Sequence, residues 1–163
     1  MRRLGSGLAV LAAVVIGPRA IGCGKTAVDL PIAWQHDYES GARMARAEHK
    51  PLILFFGAAW DGAWKEIEHE TLTDRRVRTT LARDFVTVHI DTTDDEEPLS
   101  RAMVNRFGVI GDPTILILGP DGESEILRFL EYVPADRLLV ALAAARREDA
   151  AREARFEARR RER

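Results

Sequence analysis

A chain of 163 residues with 46% hydrophobic content suffices for one domain around one buried core. Lys plus Arg number 24 against 26 Asp plus Glu, a net charge of -2, which excludes a global electrostatic pull toward nucleic acid or an anionic surface. A single cysteine, Cys23, excludes an internal disulfide.

The chain opens with the basic tripeptide Met1-Arg2-Arg3 and an apolar stretch from Leu8 to Ile16, interrupted by Gly17-Pro18. That stretch falls short of the roughly 20 apolar residues a membrane span needs, so residues 1–22 read as a secretory signal. Ala20-Ile21-Gly22-Cys23 resembles the bacterial lipobox, in which the cysteine becomes the lipidated first residue of the mature protein. The resemblance implies a lipid anchor at Cys23 and a membrane as partner; cleavage without lipidation and a short uncleaved anchor are the competing readings. Gly24-Lys25-Thr26 ends like a phosphate-binding loop, but Arg19 stands where that motif needs its first glycine, so no nucleotide is expected. Residues 23–33 read as a linker.

Tyr38 to Glu48 places Ala42, Met44, Ala45 and Ala47 on a modest apolar face, which predicts a helix that stops at Lys50-Pro51. Leu52-Ile53-Leu54-Phe55-Phe56 is a continuous apolar run that suits a strand covered on both faces, and Gly57-Ala58-Ala59 lets the backbone turn sharply out of it. A helix is expected from Asp61 through Leu72, with Ile67 and the stem of Lys65 inward and Glu66, Glu68 and Glu70 outward. Thr73-Asp74 offers a fresh N-cap for Arg75 to Arg83, where Val77 and Leu81 share a face, so the two segments read as one kinked helix. Phe85 to Ile90 is rich in β-branched residues and predicts a strand ending at Asp91. Pro98 to Phe107 predicts a short helix burying Leu99, Met103, Val104 and Phe107. Thr114 to Leu118, the turn Gly119-Pro120-Asp121-Gly122 and Ser124 to Leu130 together predict a hairpin. Pro134 opens a last helix carrying Leu138, Leu139 and Leu142, which continues past Ala145 as a charged tail over residues 146–163. Arginines and acids in that tail are spaced to pair along a solvated helix, and its basic end would gain about 1 kcal/mol per charge near an anionic membrane. Strands and helices alternate before the hairpin and closing helix, which predicts an α/β three-layer fold with a mixed sheet flanked by helices.

An apolar strand, Ala58-Ala59-Trp60, four further residues and Lys65 resemble the active-site segment of the thioredoxin family, in particular the bacterial periplasmic disulfide-interchange domains. Val109-Ile110-Gly111-Asp112-Pro113-Thr114 resembles the family's cis-proline loop, and Phe85 to Asp91 with Thr92-Thr93 resembles the strand before it. The resemblance spans Trp34 to Ala145 and implies a thioredoxin-like domain over residues 34–145. It also places the family's two cysteine positions on Asp61 and Trp64, with Gly62 and Ala63 between, so both thiols are replaced.

Thiol-disulfide exchange needs a thiolate attacking sulfur, and a carboxylate at position 61 supplies none. A helix start does stabilise a carboxylate, so Asp61 reads as an N-cap; an acid-base role is the alternative, although no histidine or second acid is placed by sequence to partner it. Trp60 is expected beside the groove, while Trp64 either anchors a partner or folds back onto the core. Pro113 by its neighbours alone is cis or trans; the resemblance implies cis, with the backbone of Asp112 receiving an extended peptide.

Asp91, Asp94, Asp95, Glu96 and Glu97 lack a calcium-loop pattern, and the four histidines lack zinc spacing, so neither a metal nor a cofactor is expected. The resulting expectation is an exported, lipid-anchored thioredoxin-fold protein of the bacterial envelope. It would be redox-inactive and bind an extended polypeptide or envelope partner through Trp60, Asp61, Gly62, Ala63, Trp64, Asp112 and Pro113, with no nucleic acid. Two alternatives stand beside it: disulfide interchange using Cys23 or a partner's thiol, and a purely structural envelope component.

Overall fold

The computed structural model describes residues 30–35 and 37–162. The expected signal, Cys23 with its lipobox and most of the linker lie outside the described residues. A five-stranded sheet runs in the order β1-β3-β2-β4-β5, built from β1 (Trp34–Gln35), β2 (Leu52–Gly57), β3 (Val86–Asp91), β4 (Thr114–Leu118) and β5 (Glu125–Phe129). The first three neighbours are parallel and the last two pairings antiparallel, which makes the sheet mixed. Its helices are α1 (Tyr38–Glu48), α2 (Gly62–Glu66), α3 (Arg75–Asp84), α4 (Pro98–Phe107) and α5 (Ala135–Arg161).

β2 is central because every one of its side chains is apolar or absent, and all six residues are buried. Its alternation feeds both faces. Ile53 and Phe55 pack with Trp64 of α2, Ile67 just after it, Val77 and Leu81 of α3, and Leu138 and Leu142 of α5. Leu52, Leu54 and Phe56 pack with Tyr38, Ala42 and Ala45 of α1. At about 1.5–3 kcal/mol for each large apolar side chain removed from water, this strand is the main stabilising element of the sheet.

α1 has the expected bounds, capped at its start by Asp37, whose carboxylate accepts from Ser40 N at 2.8 Å. The expected long helix after Asp61 departs from α geometry at its centre, where Ile67–Thr71 forms a π-helical turn before Asp74 caps α3. Lys65 is exposed rather than turned inward, and Trp64 takes the buried position instead. α4 was expected to bury Leu99, yet that side chain is 74% exposed and Ser100 is buried in its place. β1, which its two residues are too few to announce, is held by register with β3, Trp34 opposite Thr87. The charged tail is continuous with α5, whose helix extends to Arg161 as expected.

Candidate functional site

β2 delivers the chain into α2 at the turn 57–61, and β3 delivers the neighbouring loop 91–93 beside it. Asp61 is extended (φ -75, ψ 130) and its carboxylate accepts from Trp64 N at 2.7 Å, so the expected N-cap is present at the first turn of α2. Gly62 meets nothing within 4 Å of where a Cβ would stand, while Ala63 is half-buried.

Trp64 does not face a partner. It is 3% exposed and its indole stacks on His89 with ring centroids 4.7 Å apart and an interplanar angle of 17°. Gly57 makes this possible, because a Cβ there would stand 2.1 Å from Trp64 Cδ2. Of the two readings open to the sequence, the structure takes the one in which Trp64 completes the core, and the expectation of Trp64 as a binding anchor is corrected accordingly. The signal lay in the pairing of a glycine at the end of β2 with an indole seven residues on, and it is invisible without the fold that brings His89 beneath the ring.

Trp60 remains exposed, at 64%, but is not loose: its Nε1 donates to Thr93 O at 3.2 Å, and Ala59 N donates to Thr93 Oγ1 at 2.8 Å. Thr93 is itself fixed, its hydroxyl and its backbone N–H both donating to Asp91. Those two hydrogen bonds hold the Asp91 carboxyl below the ordinary carboxylate value.

The loop after α4 supplies the third wall. Gly108 ends α4 in the left-handed region (φ 58), and Arg128 of β5 reaches across to donate to Phe107 O at 2.8 Å and Gly108 O at 3.3 Å. Ile110 then stands 83% exposed, and the Asp112–Pro113 peptide is cis, with Pro113 buried. The Thr92 hydroxyl donates to Asp112 Oδ1 at 2.8 Å, tying this loop to the one that holds Trp60. Burial pushes the Asp112 carboxyl above its ordinary value, the Thr92 hydrogen bond offsets part of that, and the like charges of Asp61 and Asp91 add to it. Asp61, Asp91 and Asp112 therefore share one electrostatic neighbourhood, which sequence spacing alone did not reveal.

Among the described residues no group of three or more His, Cys, Asp or Glu side chains is arranged to hold a metal ion. The acidic loop after β3 is used locally: Asp94 accepts from Glu96 N at 3.0 Å, and Glu97 caps α4. A separate cleft of about 580 Å³ lies at the β1 edge, lined by Trp34, Gln35, Glu68 and His89 among others. It is distinct from the Trp60 surface.

A thioredoxin-like family model matches residues 33–120. The thiol:disulfide interchange protein DsbD of Ralstonia nicotianae is 33% identical over 109 residues, which are 67% of this chain and 18% of that protein. The chain thus spans less than a fifth of this curated relative's length. A thioredoxin from Thermus thermophilus superposes with a TM-score of 0.64 at 21% identity, covering 76% of this chain and 92% of that one, a likeness of fold. The reduced C-terminal domain of DsbD from Neisseria meningitidis gives a TM-score of 0.56 at 25% identity, covering 64% of this chain and 90% of that domain. Five strands in this order, a helix starting at Asp61, a cis-proline loop beside it and a family match over more than half the residues lead to one conclusion: the chain belongs to the thioredoxin-like family, with Asp61 and Trp64 standing where its two-cysteine motif would be.

Proposed function

We propose that this protein is a redox-inactive partner-binding module of the bacterial cell envelope, exported and held to a membrane through lipid on Cys23. The observation that carries the reading is Asp61, a carboxylate spent on capping α2 at the position from which a family thiolate would attack. Exchange chemistry needs a sulfur nucleophile and a second thiol to resolve the mixed disulfide, and the 163 residues contain one cysteine, outside the domain. What the scaffold keeps is a surface: an anchored, exposed Trp60 and an exposed Ile110 on a cis-proline loop, the arrangement that receives an extended polypeptide by backbone pairing and apolar contact. Seven residues carry the proposal in different ways. Trp60 and Asp112 contact the partner, Asp61, Gly62 and Ala63 form the turn, Pro113 shapes the loop, and Trp64 supports the turn from beneath.

An envelope location is supported by the leader-like residues 1–22 and by kinship with thiol:disulfide interchange proteins. That kinship with thiol:disulfide interchange proteins favours a second reading, disulfide interchange with Cys23 or a partner's thiol as nucleophile. Insulin reduction separates the two. No turnover above the dithiothreitol background is expected, and turnover at a dithiol thioredoxin's rate would replace the adaptor by an oxidoreductase. Mass spectrometry of the mature N-terminus reads the anchor directly: a diacylated or triacylated Cys23 supports it, and an unmodified residue downstream of position 23 removes it.

A further inference from the structure

The exposed surface around Trp60 has a chemical bias that the bare fold does not require. Two large apolar side chains stand out of it, Trp60 at 64% and Ile110 at 83% exposure, and neither reaches the core. Apolar groups left in water and fixed by hydrogen bonds on their neighbours mark a docking surface. Trp60 is such a group, because Nε1 and the preceding amide are both tied to Thr93 while most of the ring stays open. Three acids stand on the same turns: Asp61 at the start of α2, Asp91 at the end of β3, which accepts from Thr93, and Asp112 on the cis-proline loop, which accepts from the adjoining Thr92. No Lys or Arg ion pair neutralises any of the three among the bridges described, whereas Asp74, Asp84 and Asp136 each meet an arginine.

Resting on the peptide-binding reading above, we propose that the occupant is an extended peptide segment bearing a lysine or arginine, whose cationic end sits against Asp61 and Asp112 beside the face of Trp60. Charge complementarity selects it. A cation relieves the mutual repulsion of the carboxylates, gains charge-assisted hydrogen bonds from their free lone pairs and lies beside an indole face that attracts positive charge. An acidic segment meets like charge, and a purely apolar segment leaves the carboxylates to be desolvated without compensation. The raised proton affinity of Asp112, caused in part by Asp61 and Asp91, is the same repulsion seen from one of its members.

The experiment is fluorescence anisotropy of the full chain with three labelled nonapeptides that differ only in a central lysine, norleucine or glutamate between alanine and valine flanks. The lysine peptide is expected to bind about tenfold tighter than norleucine, the range of a charge-assisted contact. Its advantage should shrink as salt is raised from about 0.05 M to about 0.3 M. Asp61→Asn keeps the helix cap and Asp112→Asn keeps an acceptor for Thr92, so both variants should melt as folded proteins while losing most of the preference for the lysine peptide over the norleucine peptide. Equal affinity for lysine and norleucine peptides, or a preference for glutamate, overturns the inference and leaves the peptide-binding reading intact. No binding of any of the three overturns both.

Discussion

Asp61 is the residue on which the chemistry turns. Its carboxylate accepts from Trp64 N at 2.7 Å, so the helix start is held by the same atom set that replaces the thiol. Asp61→Ala is expected to cost about 1 kcal/mol of stability and Asp61→Asn only a few tenths, a contrast that urea denaturation resolves. Asp112 behaves in the opposite sense. Its folded-state proton affinity is raised above the ordinary value of 3.8, first by burial, so the folded protein holds a proton that the unfolded chain has already released. Ionisation of Asp112 therefore costs stability, fully so above its folded value and not at all below about pH 4. Asp112→Asn should stabilise the protein at pH 7 and match the parent near pH 3, as read by denaturant midpoints at the two pH values. The identity of Asp61 as a cap was legible in the sequence because an Asp before Gly-Ala-Trp needs only local hydrogen bonding. The coupling of Asp61, Asp91 and Asp112 was not, since residues 30 and 51 positions apart meet only once the parallel β2–β3 pairing and the cis-proline loop are in place.

At the level of elements, α3 and α5 are joined by apolar packing of Val77 and Leu81 with Leu138 and Leu142, by the Arg76–Asp136 ion pair at 2.9 Å and by the buried Asp84. Asp84, with a side chain only 8% exposed, accepts from Arg83 Nε at 2.9 Å and Nη2 at 2.7 Å and from Arg146 Nη1 at 2.8 Å. The Arg83 hydrogen bonds hold its carboxyl below the ordinary value against the opposing effect of burial, with the Arg146 charge adding to them. A depressed folded value means stability that is complete above the unfolded value of 3.8 and lost as the pH falls through the folded one. Asp84→Asn should cost about 1–2 kcal/mol at pH 7, less than a fully buried pair because both arginines are half in water, and the cost should fade in acid. Elements with strong local signals had the expected type and nearly the expected bounds. α1 follows from its capping Asp37 and its small-residue face, and β2 and β4 follow from unbroken apolar runs. Those that depend on distant partners escaped: β1 is made by its register with β3, the π-helical turn at Ile67–Thr71 interrupts a segment whose spacing reads as continuous α-helix, and Leu99 is left outside although its spacing fits the inner face of α4.

The molecule as a whole is held together without covalent help. Two apolar layers on either side of β2, one toward α1 and one toward α2, α3 and α5, supply the cohesion, and the sole cysteine has no partner within the chain. Its thermal midpoint should accordingly be the same with and without reductant, a comparison that differential scanning fluorimetry makes directly; a drop of several degrees on reduction would reveal a crosslink this fold does not call for. The indole of Trp64, lying on the bare backbone of Gly57 and against His89, reaches furthest beyond the present molecule. Exchanging it for a cysteine would leave a void beneath the turn, so grafting a pair of thiols onto positions 61 and 64 demands a refilled interior as well as two new side chains.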